Sequence, residues 1–121
     1  MGKFDKMLLI SDYDNTLRYT EAALRSGGEM PPIHPRNLEA VQRWMDQGGT
    51  FAMATGRSLA AFRVPAAGVP MNAPSIVDNG AAIYDWKTEK YLVKRFLPDT
   101  CLERLRAAAE AFGYEVSYEE G

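Results

Sequence analysis

Four apolar residues, Met7-Leu8-Leu9-Ile10, run through Ser11 directly into Asp12-Tyr13-Asp14-Asn15-Thr16-Leu17. A continuous apolar run too short for a helix reads as a strand buried on both faces, and such strands belong to parallel sheets. Two carboxylates therefore stand where a buried strand ends. Ligands of open α/β sheets collect at the carboxyl ends of strands. A second strand, Thr50-Phe51-Ala52-Met53, ends in Ala54-Thr55-Gly56-Arg57. Between the two, Pro35 occupies the first position of a helix with Leu38, Val41 and Met45 at helical spacing and Gly48-Gly49 as its stop. Strand, helix, strand makes a right-handed βαβ unit, which points both strand ends the same way. One site built from both ends is expected.

The rest of the chain follows from its punctuation. Between Leu17 and His34, a helical turn over residues 21–25 is cut off by Gly27-Gly28 and Pro31-Pro32, leaving a mobile loop over the strand end. Ser58–Phe62 begins another helix, which Pro65, Gly68 and Pro70 end early. Ser75-Ile76-Val77 reads as a third strand entering a turn at Asp78-Asn79-Gly80. Residues 81–86 and 91–96 flank Lys87-Thr88-Glu89-Lys90 as a β-hairpin. Thr100 and Glu103 form a capping box for a helix that carries Leu102, Leu105, Ala109 and Phe112 inward, with Gly113 as its end. Tyr114, Val116 and Tyr118 then alternate as a half-buried strand. The expected fold class is α/β, a partial doubly wound, Rossmann-like parallel sheet with a β-hairpin. Residues 1–96 form the N-terminal part of a core, with hairpin 81–96 leading into a second unit that begins at 97–121.

Composition narrows the classes of partner. The chain has 121 residues, 46% of them apolar, enough for an ordinary compact domain. Its 14 basic and 16 acidic residues are interspersed, with a formal charge of −2, so no basic stripe exists to grip nucleic acid. No stretch approaches the roughly 20 apolar residues of a membrane span, and the N-terminal apolar run is too short for a signal-peptide core. Neither nucleic acid nor membrane is an expected partner. Cys101, the single cysteine, allows no intrachain disulfide and fits a reducing cytoplasm.

An ionised aspartate can attack phosphorus if a cation offsets its charge against the phosphate. Mg²⁺ suits that task because it takes oxygen ligands and bridges carboxylates to phosphates. Asp12 is then a nucleophile, and Asp14, two residues on, can protonate a leaving alkoxide and later activate water. Thr55 and Gly56 are expected to open a helix, where the Thr hydroxyl and backbone N–H groups bind phosphoryl oxygens. Arg57 in a first helical turn opposes the helix dipole by a few tenths of a kcal/mol, which an anionic substrate would offset. A calcium loop is excluded, because Leu17 and Ala23 stand where its Gly and Glu belong. His34 reads as a surface or capping residue, Cys101 as a packed thiol, and Trp44, Trp86, Tyr114 and Tyr118 as residues that pack or line the hairpin. Asn79 serves either the turn or the substrate.

Asp12-Tyr13-Asp14-Asn15-Thr16-Leu17 resembles the first motif of the haloacid dehalogenase-like phosphohydrolases, and Ala54-Thr55-Gly56-Arg57 resembles the second motif of their Cof-type sugar-phosphatase branch. Asn79-Gly80-Ala81 is similar to that branch's segment before its cap domain, which makes residues 97–121 the beginning of an α+β cap. Order and spacing match across nearly the whole chain. The resemblance implies Asp12 as phosphorylated nucleophile, Asp14 as general acid/base and Thr55 as phosphate ligand, with Gly56, Arg57 and Asn79 on the substrate side. It also implies Mg²⁺ held by the Asp12 carboxylate and the Asp14 backbone carbonyl, and a small phosphorylated metabolite as substrate. Asn15 replaces a common Gly, and the third-motif Lys and fourth-motif acidic residues have no counterpart here. The expectation is an N-terminal portion with half a site that self-associates or takes up a complementing C-terminal segment. A phosphomutase of the same superfamily, or an inactive relative that binds phosphate or a protein, stays open at this level.

Overall fold

The computed structural model describes residues 2–20, 25, 27 and 32–117. The helical turn expected over residues 21–25 and most of the loop around it lie outside the described residues. The elements are β1 (Leu8–Asp12), α1 (Pro35–Asp46), β2 (Thr50–Ala54), α2 (Leu59–Ala66), β3 (Ser75–Val77), a 3-10 turn (Asp78–Gly80), β4 (Ala82–Asp85), β5 (Lys90–Lys94) and α3 (Cys101–Ala111). They form one sheet in the order β1-β2-β3-β4-β5. β1, β2 and β3 are parallel, and the β4–β5 hairpin continues the sheet antiparallel to β3. The α/β class and the hairpin are as expected.

Alternate residues of the strands face the helices. Phe51 and Met53 of β2 and Val77 of β3 pack with Val41 of α1 and Phe62 and Ala66 of α2 in one core. Tyr13, buried completely, closes that core at the strand end, with its ring edge-on to Phe62 at 5.3 Å. Asn72 substitutes for a strand before β3 begins: its Oδ1 accepts the Phe51 N–H at 2.7 Å and its Nδ2 donates to the Gly49 carbonyl at 3.0 Å. Trp44 fixes the α1–β2 turn by donating from Nε1 to the Thr50 carbonyl and stacking on Phe4. Gly49 is required there, because a Cβ would run into the Trp44 indole. His34 is the cap of α1, its Nδ1 accepting the Arg36 N–H at 3.1 Å.

Five expectations are corrected. Among the described residues β1 pairs only with β2, and Leu8, Leu9 and Ile10 are 59%, 43% and 48% exposed, so it stands at the edge of the described sheet and is not a doubly buried strand. α2 runs through Pro65 to Ala66, because a proline near the last turn removes one late hydrogen bond without stopping the helix. At α3 the Thr100 side chain makes no capping bond, since Thr100 is itself helical in backbone (φ −78°, ψ −13°) where a cap needs extended geometry. Leu105 and Phe112 on that helix are 47% and 77% exposed because no described element packs over it. Likewise Tyr114 is exposed and 114–117 form no strand, while Tyr118 lies outside the described residues.

Phe62→Ala should destabilise the protein by about 3–5 kcal/mol, the usual cost of emptying a filled aromatic site. Val64→Ala, on the exposed face of the same helix, should change stability by no more than about 0.5 kcal/mol. Urea unfolding of the two variants checks the contrast.

Candidate active site

Alternation along β1 sends Tyr13 into the core and leaves Asp12 and Asp14 on the opposite side of the chain. The five-residue parallel register aligns Asp12 with Ala54, which sets the Asp12 loop beside Thr55. After Asp14 the chain reverses tightly, with the Tyr13 carbonyl accepting from the N–H groups of Thr16, Leu17 and Arg18. Asn15 takes the left-handed conformation this turn needs (φ 59°), and its Oδ1 accepts from the Thr20 N–H at 3.1 Å. Asn is one of the few residues that tolerate that backbone readily. Thr16 Oγ1 donates to the Asp12 carboxylate at 3.2 Å, steadying an otherwise exposed side chain.

The second wall is laced to the third strand. The Thr55 carbonyl accepts the Asn79 N–H at 3.1 Å, and the Arg57 carbonyl accepts the Asp78 N–H at 2.9 Å. Asp78 and Asn79 are both left-handed (φ 52° and 54°), a costly arrangement for consecutive non-glycine residues that the lacing sustains. The Asn79 side chain leans over Gly56, where a Cβ would stand 2.7 Å from its Oδ1. Asp12, Thr55, Gly56, Asn79 and Gly80 thus line one concavity of about 280 Å³. A larger groove of about 800 Å³ opens on the far side of Gly56 and Asn79, bounded by Ser58, Tyr91, Lys94, Arg95 and Leu102.

Thr55 and Gly56 do not open a helix. Ser58 caps α2, its Oγ accepting the Ala61 N–H at 3.2 Å, and Thr55 Oγ1 instead accepts the Arg57 N–H at 3.1 Å in a turn of its own. Arg57 accordingly lies before the helix and does not oppose its dipole. Its guanidinium meets the Asp14 carboxylate as a two-pronged fork, Nε to Oδ2 at 2.8 Å and Nη2 to Oδ1 at 2.6 Å. Neither Asp14 nor Arg57 lines the concavity that holds Asp12. The sequence motifs carried no signal of this pairing, which spans 43 positions, nor of the Asn72 bracket.

The Arg57 hydrogen bonds hold Asp14 below its ordinary value of 3.8, outweighing the opposing effect of burial, with a further contribution from the Thr20 hydroxyl. Arg57 is raised correspondingly by Asp14. Among the described residues, no three His, Cys, Asp or Glu side chains cluster as a metal site. No described helix is long and apolar enough to cross a membrane.

A carboxylate depressed in the folded state adds stability above its unfolded value of about 3.9, and that stability disappears as pH falls through the lowered folded value. Acid unfolding of Arg57→Gln should therefore lack this increment: its stability should match the parent at pH values below the lowered Asp14 value and fall short of it above pH 4.

Residues 9–121 match the family model described as haloacid dehalogenase-like hydrolase. No curated protein matches the chain. Among solved structures, a phosphatase of the haloalkanoate (HAD) superfamily from Bacteroides thetaiotaomicron superposes with a TM-score of 0.66 at 22% identity, covering 91% of this chain and 37% of that one. A haloacid dehalogenase-like hydrolase from the same organism gives 0.62 at 23% identity, over 90% of this chain and 38% of its own. Another from B. subtilis gives 0.62 at 19%, over 88% and 34%. The chain thus spans well under half the length of these structures. The likeness extends to the fold, and the family match takes in both aspartates, Thr55 and the Asn79 turn: this chain belongs to the haloacid dehalogenase-like hydrolase family.

Proposed function

We propose that this chain carries the nucleophile half of a Mg²⁺-dependent phosphatase acting on a small phosphorylated metabolite, with a sugar phosphate as first choice. The observation that supports it is the shared concavity of Asp12, Thr55, Gly56 and Asn79. An Asp12 oxygen attacks phosphorus, the bond from phosphorus to the ester oxygen breaks, and protonated Asp14 gives its proton to the leaving oxygen. Ionised Asp14 then takes a proton from water as that water attacks the Asp12 phosphoryl group, releasing phosphate and the free carboxylate. Thr55 and the Gly56 backbone N–H hold phosphoryl oxygens throughout.

The donor chemistry fits Mg²⁺, since the Asp12 carboxylate and Asp14 backbone carbonyl are hard oxygens and the cation usually completes its shell with water and phosphate. When bound it offsets charge between carboxylate and phosphate. Residues 1–96 belong to the core in this reading and 97–121 to the start of a cap, and the single cysteine agrees with a cytoplasmic setting.

Calorimetry with inorganic phosphate should give Mg²⁺-dependent binding that Asp12→Asn removes. With a panel of sugar phosphates, Asp14→Asn should lower kcat by roughly 10²–10⁴. Binding without phosphate release would identify an inactive phosphate-binding relative, and an isomerised sugar phosphate a mutase. Absence of binding and of turnover refutes the proposal.

The partner proposed for β1 is a complementing strand, supplied by a further C-terminal segment or by a second copy. β5 is guarded by Lys90 and Lys94, whereas β1 carries no charge between Met7 and Ser11. Unguarded apolar edges invite pairing. Ile10→Lys should shift this chain toward monomer in sedimentation velocity; an unchanged distribution removes β1 from the association.

A further inference from the structure

We infer that Arg57 is a positioning residue for Asp14, not a ligand of the substrate phosphate, and that Pro65 supplies one of its anchors. The inference rests on the phosphatase reading for what Asp14 does, while the clamp itself is a matter of geometry. Arg57 is held on three sides. Its Nε and Nη2 grip both Asp14 oxygens, which a planar guanidinium does in one orientation only. Its carbon Cζ lies 5.7 Å from the centre of the buried Tyr13 ring, which completes a cation–π contact. Its Nη1 donates to the Ala61 carbonyl at 3.4 Å.

That last acceptor has a specific origin. In a helix the carbonyl of residue 61 accepts from the N–H of residue 65, and proline has none. Pro65 lies inside α2, so the Ala61 carbonyl is released from the helix and taken by Arg57. A proline that first looks like a helix stop thereby orients the side chain of the residue just before the helix cap. The fork is part-buried, with Arg57 and Asp14 side chains 26% and 31% exposed. With both Asp14 prongs occupied and Arg57 outside the wall of the Asp12 concavity, phosphate in that concavity meets Thr55, Gly56 and Asn79 first.

The test is ¹⁵N NMR of the Arg57 Nε–H in this chain, without substrate. A bond to a charged partner should slow its exchange roughly tenfold or more relative to exposed arginines. Asp14→Asn should abolish the protection and Pro65→Ala, which returns a competing N–H, should reduce it; amide spectra of both variants report whether the fold is intact. Inorganic phosphate with Mg²⁺ should move the Thr55 and Gly56 amides and leave Arg57 Nε in place. No protection in the parent chain overturns the clamp, an unchanged rate in Pro65→Ala overturns the anchor, and a phosphate-induced shift at Arg57 Nε overturns the positioning role. Should Thr55 and Gly56 also stay still, the phosphatase reading is what fails, and the protection measured without phosphate still decides the clamp.

Discussion

Five parallel partners, from Leu8 with Thr50 to Asp12 with Ala54, hold β1 against β2, and the position of every candidate functional residue depends on that ladder. A slip of one residue would turn Asp12 into the core and Tyr13 out of it. The register is kept because Tyr13 and Phe51 both require burial against Phe62 and its neighbours. It also brings Asp14 within reach of Arg57, which could not form its fork if β1 were displaced by one 3.3 Å step. Local chemistry at the site is thus a consequence of hydrophobic pairing several residues away.

The same ladder explains why β1 behaves unlike the other strands. On its second side β2 has the pairing of Ala54 with Ile76 of β3 and the Asn72 bond to the Phe51 N–H, and Phe51, Ala52 and Met53 are buried. β1 has β2 on one side only. Its residues are as apolar as those of β2, so their exposure reflects missing cover and not a different sequence preference. β5, the opposite edge, is exposed throughout but carries lysines at both ends, and Lys94 folds over Tyr91 at 4.4 Å. β5 has three residues between its charges, whereas β1 and its flanks run uncharged from Met7 to Ser11.

Strand ends, α1 with its proline start and His34 cap, the Asp78–Gly80 turn and the hairpin were legible because each depends on local periodicity or on residues with few backbone options. Burial was not legible: the pattern Met7-Leu8-Leu9-Ile10 states that a strand can be covered, and says nothing about whether the cover is present. Helix starts failed for a related reason. Thr100 and Thr55 both have cap chemistry, but Thr100 is helical in backbone and Ser58, extended at φ −68° and ψ 164°, is the residue that caps α2. The motifs singled out the aspartates, Thr55, Gly56 and Asn79, and the structure brings Asp12, Thr55, Gly56 and Asn79 to one concavity. The Arg57 fork was not, since no spacing rule links positions 14 and 57.

The fork bears on how one carboxylate can serve two half-reactions. In the proposed mechanism Asp14 must be ionised as the base that activates water, and the two Arg57 prongs favour that state. As the acid that protonates a leaving oxygen, it must hold a proton, which the same prongs oppose. A cation that cannot lose its charge does not relax this conflict by titrating. Arg57 also touches the Ala61 carbonyl and the Tyr13 ring, so its place beside Asp14 does not depend on the fork alone. Under the phosphatase proposal, the Ala61 and Tyr13 contacts would keep Arg57 beside Asp14 in either protonation state.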